Sequence, residues 1–381
     1  MRNFVFYNST KLIFGKGSIS SLTTEIPLDK KIMIVFGGGS VRKNGVYEQV
    51  KQAMSKHVFV EFWGIEPNPT VDTIRKAVEL GKKNRIDFLL SVGGGSVLDA
   101  TKLIAVSIPY DGDPWNLVVN SKLIKYALPF CDVMTLPATG SEMNTGAVIS
   151  NVETKEKFPF NFSYPEFSIL DPETTYSLPS YQIACGIADT FVHVMEQYLT
   201  FPNQSLLMDR WAEGILQVLV EIAPKIKENK KDYDLMSNFM LSATMGLNGF
   251  IAMGVEQDWS THMIGHELTA LHGITHGQSL AIVFPATMRR LKEQKEGKIL
   301  QYGERIWKIT TGTNEEKVME IIQKTEDFFR SLGLVTKLHE VGITDTTIME
   351  VERRFDARNV AFGECHNVTG TVAREILELA K

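Results

Sequence analysis

The chain has 381 residues, enough that two domains are expected rather than one core. Hydrophobic residues make up 44% and charged residues 22%, a globular composition, and the net charge of −5 excludes a nucleic-acid surface built on excess Lys and Arg. No apolar run reaches membrane-spanning length, Met1–Tyr7 lacks the layout of a signal peptide, and Cys131, Cys185 and Cys365 give no disulfide framework, so a cytoplasmic protein with reduced thiols is expected.

In chain order, Phe4–Tyr7 and Lys11–Phe14 read as a short hairpin turning at Asn8-Ser9-Thr10. Ile32–Phe36 is a continuous apolar run ending in Gly37, the pattern of a strand buried on both faces. A helix is expected over Val46–Met54 and a strand over Val58–Phe62. Pro67-Asn68-Pro69 breaks the chain, and Thr70 caps a helix to about Lys83. Phe88–Val92 is the next strand and Ser96 opens the next helix. Strand and helix alternating in this way imply a parallel sheet with crossover helices.

Past Leu178-Pro179 strand signals almost vanish. Segments near 180–199, 205–227, 234–253, 258–271, 277–293, 315–332 and 369–380 have helical length and apolar spacing of three to four. The expected division is an α/β domain over 1–178 and a helical domain over 179–381.

Two glycine turns follow buried strands: Gly37-Gly38-Gly39-Ser40 and Gly93-Gly94-Gly95-Ser96. Glycine lets a backbone approach a phosphate closely, and the N–H groups at a helix N-terminus favour an anion. Neither turn is the full G-x-G-x-x-G fingerprint, and each alone is equally a tight strand-to-helix turn. Two in neighbouring βα units favour a dinucleotide. Ser96 and Asp99, three apart, also match a capping box. No acid ends the Ile32–Phe36 strand to grip a ribose 2′-hydroxyl; Ser40, Arg42 and Lys43 stand there instead. This favours NADP(H) over NAD(H), the alternative being solvated charges and an enzyme that takes either.

The histidines carry the sharper signal. Asp189 and His193 are four apart in a helical segment, so both side chains share one face. His262 and His266 are also four apart, and His272 and His276 follow within the same short window. Nitrogen and oxygen donors suit Zn²⁺ or Fe²⁺. Spacing alone leaves open whether His262 or His266 is the ligand, and whether His272 binds, supports a ligand or simply packs. His266-Glu267 is not a zinc-protease motif, which would need histidine at Ala270.

With these motifs, Phe14-Gly15-Lys16-Gly17 and Thr135-Leu136-Pro137-Ala138-Thr139-Gly140-Ser141-Glu142, nearly the whole chain resembles the iron-containing (group III) alcohol dehydrogenase family. It is most similar to the family's NADPH-dependent aldehyde reductases and butanol dehydrogenases. The resemblance implies a Rossmann-like N-terminal domain and an all-α C-terminal domain, the dehydroquinate synthase-like fold, in a homodimer with an N-terminal strand at the interface. It implies Asp189, His193, His262 and His276 as metal ligands and His266 as a proton relay or substrate-orienting residue. It places Gly93, Gly94, Gly95, Ser96 and Asp99 around the pyrophosphate. Thr135, Leu136, Thr139, Ser141, Val148, Lys157 and Leu178 would line the rest of the cofactor cleft, with Lys157 near ribose. Gly38, Gly39 and Ser40 would lie at the adenosine end, where NAD-preferring members tend to carry an acid. His366 matches no ligand position and reads as structural. Phe250 and Trp259 read first as core aromatics.

The implied reaction is hydride transfer between NADP(H) and small alcohols or aldehydes, with one divalent metal, Fe²⁺ or Zn²⁺, acting as Lewis acid on the substrate oxygen. Two other classes share some of these features. A dehydroquinate-synthase-like lyase would need a basic cluster beside the ligands, and none is visible. A nucleotide-binding protein without catalysis would have no use for one Asp and three His at these spacings.

Overall fold

The computed structural model of the protein describes residues 1–202 and 205–381. The chain forms two compact units: Tyr7–Leu178 with Lys231–Thr244, and Met1–Phe6 with Pro179–Lys230 and Met245–Lys381. The division therefore passes through Leu178/Pro179, but two further segments cross between units.

The α/β unit holds eight strands: β1 (Lys11–Phe14), β2 (Lys31–Gly37), β3 (Val58–Ile65), β4 (Phe88–Gly94), β5 (Phe130–Leu136), β6 (Gly146–Asn151), β7 (Glu156–Asn161) and β8 (Phe167–Leu170). Six make one sheet in the order β1-β8-β5-β4-β2-β3, every pair parallel. Strands β6 and β7 form a separate antiparallel pair. The apolar runs of β2, β4 and β5 are buried along their length because helices cover both faces. Alternation sorts their side chains: Met33, Val35 and Leu89 join the core on one face, and Ile32, Ile34, Phe36 and Leu90 the core on the other.

The expected N-terminal hairpin does not form. Residues 1–10 carry no strand, Arg2 N donates to Gly254 O at 2.9 Å, and β1 pairs in parallel with β8. Asn8 does not serve as a turn residue, because its side-chain amide donates to Met143 O at 2.7 Å and holds the chain there.

The helix Tyr233–Gly246 returns to this unit through Thr244. Met240 is buried in its core and Thr244 Oγ1 donates to Glu142 Oε1 at 2.5 Å. It stops at Gly246 rather than near 253.

The helical unit is built from Ser180–Tyr198, Leu206–Glu228, Ser260–His272, His276–Arg290, Lys292–Tyr302, Asn314–Ser331, Asp345–Arg358 and Gly370–Leu379. Lys292–Tyr302 and Asp345–Arg358 were not anticipated. The first is disguised because two of its buried residues are lysines. Lys295 lies 2.8 Å from Asp258 and 2.7 Å from Glu364, and Lys298 lies 2.8 Å from Asp209, so charge is buried where an apolar residue is expected. Among the described residues no helix is long and apolar enough to cross a membrane.

Candidate active site

In the helical unit every residue from Ile183 to Tyr198 is buried, which places Asp189 and His193 inside the protein. His262 and His266 are buried on the helix Ser260–His272, which Gly273 ends. Thr275 then leads into the helix His276–Arg290. A Cβ on Gly277 would lie 2.2 Å from Cys185 O, so only glycine allows the start of this helix to press on Ser180–Tyr198 one turn before Asp189. That close approach brings His276 to the carboxylate.

Three imidazoles converge on one oxygen. Asp189 Oδ1 is 3.5 Å from His193 Nε2, 3.6 Å from His262 Nε2 and 3.8 Å from His276 Nε2. Asp189 Oδ1 and His262 Nε2 are buried and have no hydrogen-bond partner among the described residues. An uncompensated buried carboxylate oxygen is costly. Ligands about 2.1 Å from a tetrahedral ion stand about 3.4 Å apart, near the observed spacing. One oxygen and three nitrogens thus fit a divalent ion such as Zn²⁺ or Fe²⁺. Asp189, His262 and His276 each offer an atom within 4.8 Å of the others. His193 meets the same carboxylate oxygen and stacks on His262 with ring centroids 4.5 Å apart.

The local electrostatics favour positive charge. Burial opposes protonation of His262, but the Glu196 and Asp189 carboxylates outweigh it and push the pKa up to about 9. His266, 5% exposed, lies beside this cluster with its ring 4.9 Å from that of His276. His272 does not join it: Nε2 pairs with Thr347 Oγ1 at 2.8 Å at the end of the helix. His366 sits in an exposed turn at φ 51. Trp259 touches the cluster edge-on, 5.3 Å from His262 between ring centroids. Phe250 stacks on Trp211 instead.

In the α/β unit the strand order reverses between β2 and β4: the chain runs from β2 to β3 on one side, then crosses to β4 on the other. Ligands of open α/β sheets bind outside the C-terminal ends of the strands at such a point. Both glycine turns lie there, Gly37–Gly39 after β2 and Gly93–Gly95 at the end of β4. Leu136 ends the neighbouring β5, in register with Gly94. Thr135 precedes it, and the following Thr139 would meet a Cβ on Gly95 at 2.5 Å, so that close approach also requires glycine.

The helix Gly95–Ser107 has no side-chain cap among the described residues, contrary to the capping box read from Ser96 and Asp99. Asp99 is committed elsewhere: Ser141 Oγ donates to Oδ1 at 2.8 Å and Val148 N to Oδ2 at 2.9 Å. The first-turn amides of Gly95 and Ser96 thus remain without a side-chain competitor for an anion. Lys157 on β7 is buried and donates to Asn68 Oδ1 at 2.8 Å. Leu178 follows a turn tied to the end of β5 by Thr174 Oγ1 on Met134 O, 3.2 Å. Gly38, Gly39 and Ser40 lead into Arg42, whose guanidinium lies 3.9 Å over the Trp63 ring; Trp63 stacks on Phe36 at 4.1 Å.

Residue 9 to residue 172 match the model of the iron-containing alcohol dehydrogenases, and residues 183–370 match the C-terminal model of the same family. The chain belongs to the iron-containing alcohol dehydrogenase family. It is accordingly an oxidoreductase of alcohols and aldehydes, which removes the lyase and the non-catalytic binding protein. As an iron-containing alcohol dehydrogenase it is 46% identical to the NADPH-dependent aldehyde reductase YqhD of Escherichia coli, each covered over its full length. It is 40% identical to a probable NADH-dependent butanol dehydrogenase of Bacillus subtilis over 96% of both chains. The crystal structure of E. coli YqhD superposes with a TM-score of 0.98 at 45% identity, covering 100% of this chain and 99% of that one. The NADH-dependent butanol dehydrogenase A of Thermotoga maritima gives 0.95 at 35%, with the same coverage.

Two residues near these sites escaped the sequence reading. Glu196 contacts His262 Nδ1; its signal was a position seven after Asp189 and three after His193, on the same helix face. Asn68 holds Lys157; it sits between two prolines and read only as a break.

Proposed function

We propose that this enzyme reduces small aldehydes with NADPH, and oxidises the corresponding alcohols, at a divalent Fe²⁺ or Zn²⁺ held by Asp189, His193, His262 and His276. One observation carries the reading: three imidazole nitrogens stand 3.5 to 3.8 Å from a single buried carboxylate oxygen. The metal, when bound, supplies a Lewis acid for the substrate oxygen, and the dinucleotide supplies or accepts the hydride.

The chain's own residues do the rest. Asp189 and the three histidines fix where the substrate oxygen points, which converts an encounter into an aligned pair. His266, beside His276, passes the proton between that oxygen and solvent. Residues of the 1–178 stretch hold the dinucleotide: the Gly93–Ser96 amides take the pyrophosphate, Asp99 holds Ser141 and β6 in place, and Lys157 reaches the ribose.

Relatives are named for NADPH and for NADH, so the choice between them rests on this chain's residues. Ser40 leaves room where an acid would repel a 2′-phosphate, and Arg42, braced on Trp63, offers it a cation. A homodimer is part of the same proposal, supported by the exposed apolar side chains of Phe4, Val5 and Tyr7 in the N-terminal segment.

Chelation should abolish NADPH-dependent butanal reduction, and adding back Zn²⁺ or Fe²⁺ should restore it. Activity that persists in protein shown to be metal-free removes the proposed centre. The same assay run with NADH should give a lower kcat/KM than with NADPH; equal or higher efficiency with NADH removes the cofactor preference.

A further inference from the structure

We propose that Glu196 is the positioning residue of the metal centre: its carboxylate sets the tautomer and orientation of His262 and anchors the helix that carries it. This rests on the reading that Asp189, His193, His262 and His276 bind a divalent ion.

The helix Ser260–His272 begins abruptly. Trp259 precedes it at φ 66, a left-handed conformation that a bulky residue rarely adopts, and its side chain provides no cap. The first-turn amides are satisfied from elsewhere. Ser260 N donates to Asp258 Oδ1 at 2.9 Å. Thr261 N donates to Glu196 Oε1 at 2.6 Å, and His262 N to Glu196 Oε2 at 3.2 Å. Asp258 N donates in turn to the main-chain oxygen of Glu196 at 2.8 Å. One residue of Ser180–Tyr198 thus holds both the approach to the second helix and its first turn.

The same carboxylate touches the His262 ring at Nδ1. Both oxygens of Glu196 already accept main-chain N–H groups, so the carboxylate also accepts from Nδ1, and a bound cation would take the lone pair of Nε2 in place of its proton. That Nε2 is the atom facing Asp189 Oδ1. Glu196 is 2% exposed, and its three N–H donors compensate the burial of its charge. A helix cap alone would need no acid aimed at an imidazole. Ser180–Tyr198 therefore presents three acting groups in two turns: Asp189 and His193 as ligands, and Glu196 as the grip on a third ligand from another helix.

The test uses the full-length enzyme, stripped and reloaded with Co²⁺ or Zn²⁺. In Glu196→Gln, metal affinity measured by competition with a chromophoric chelator should fall by about 10- to 100-fold. The visible d–d bands of the Co²⁺-loaded variant should shift, while NADP⁺ binding to the metal-free variant stays at the wild-type value. A lowered melting temperature with unchanged Co²⁺ affinity and unchanged bands would reduce Glu196 to a helix cap and overturn the proposal. A second measurement needs no variant. In ¹⁵N-histidine spectra of the Zn²⁺-loaded wild type, His262 should show a protonated Nδ1 and a ligated Nε2, and the opposite tautomer would overturn the assignment. Wild-type protein that takes up no stoichiometric metal would instead sink the underlying metal reading, a result distinct from either outcome for Glu196.

Discussion

At the scale of single residues, the spacing of His262 and His266 placed both on one helix face but could not say which one binds. The reason is physical. Two histidines one turn apart are equivalent until a crossing element and a buried partner break the symmetry. Here their surroundings differ: His262 lies between Glu196 and Asp189, and His266 lies against the His276 ring. This difference yields a prediction. A relay acts on rate and on the pH dependence of rate, whereas a ligand acts first on metal content. His266→Ala should therefore keep its metal, lose roughly 100-fold in kcat and show an altered pH profile. A variant with unchanged rate and profile excludes the relay, and one that loses its metal makes His266 a ligand.

At the scale of elements, what read easily was apolar periodicity and what hid was buried charge. β2 and β4 announced themselves because both faces are covered, whereas Lys292–Tyr302 was masked by Lys295 and Lys298. Lys102 is a similar case inside a helix that was recognised. Its ammonium, with three N–H groups to donate, is surrounded by Ser141 O and Oγ, Asn144 O and Oδ1, and Gly146 O, at 2.7 to 3.2 Å, and so ties the helix Gly95–Ser107 to the loop before β6. Burial nevertheless lowers its pKa to about 8, against the pull of Asp99, Glu142 and Asp132. The unfolded chain titrates near 10.5, the ordinary value for a lysine. Between about 8 and 10.5 the unfolded state therefore binds more protons than the folded one, and stability rises with pH across that window. Below about 8 both states are protonated and the contribution no longer changes. Relative to Lys102→Met, wild-type unfolding free energy should climb between pH 8 and 10.5 by up to about 1.4 kcal/mol per pH unit. Urea denaturation at several pH values checks this, and parallel curves for the two proteins would refute it.

At the scale of the whole molecule, the change of character at Leu178-Pro179 was visible because strand patterns stop there. The crossings of Met1–Phe6 and Lys231–Thr244 were not, since helical periodicity shows that an apolar face exists and not which core receives it. The side chain of Met240 settles that only through tertiary packing. The division has a consequence for ligand response. All four proposed metal ligands belong to the helical unit, and all the proposed dinucleotide residues belong to the α/β unit. A ligand stabilises the unit that binds it: at 100 times its Kd the gain is about 2.7 kcal/mol, or roughly 100-fold slower exchange for amides that open only when that unit unfolds. Zn²⁺ should therefore slow hydrogen exchange first in Ser180–Tyr198, Ser260–His272 and His276–Arg290. NADP⁺ should slow it first at residues 37–43, 93–99 and 139–148. Zn²⁺ protection centred on the glycine turns, or NADP⁺ protection centred on the histidine helices, would mean that the two sets of residues have been assigned to the wrong ligands.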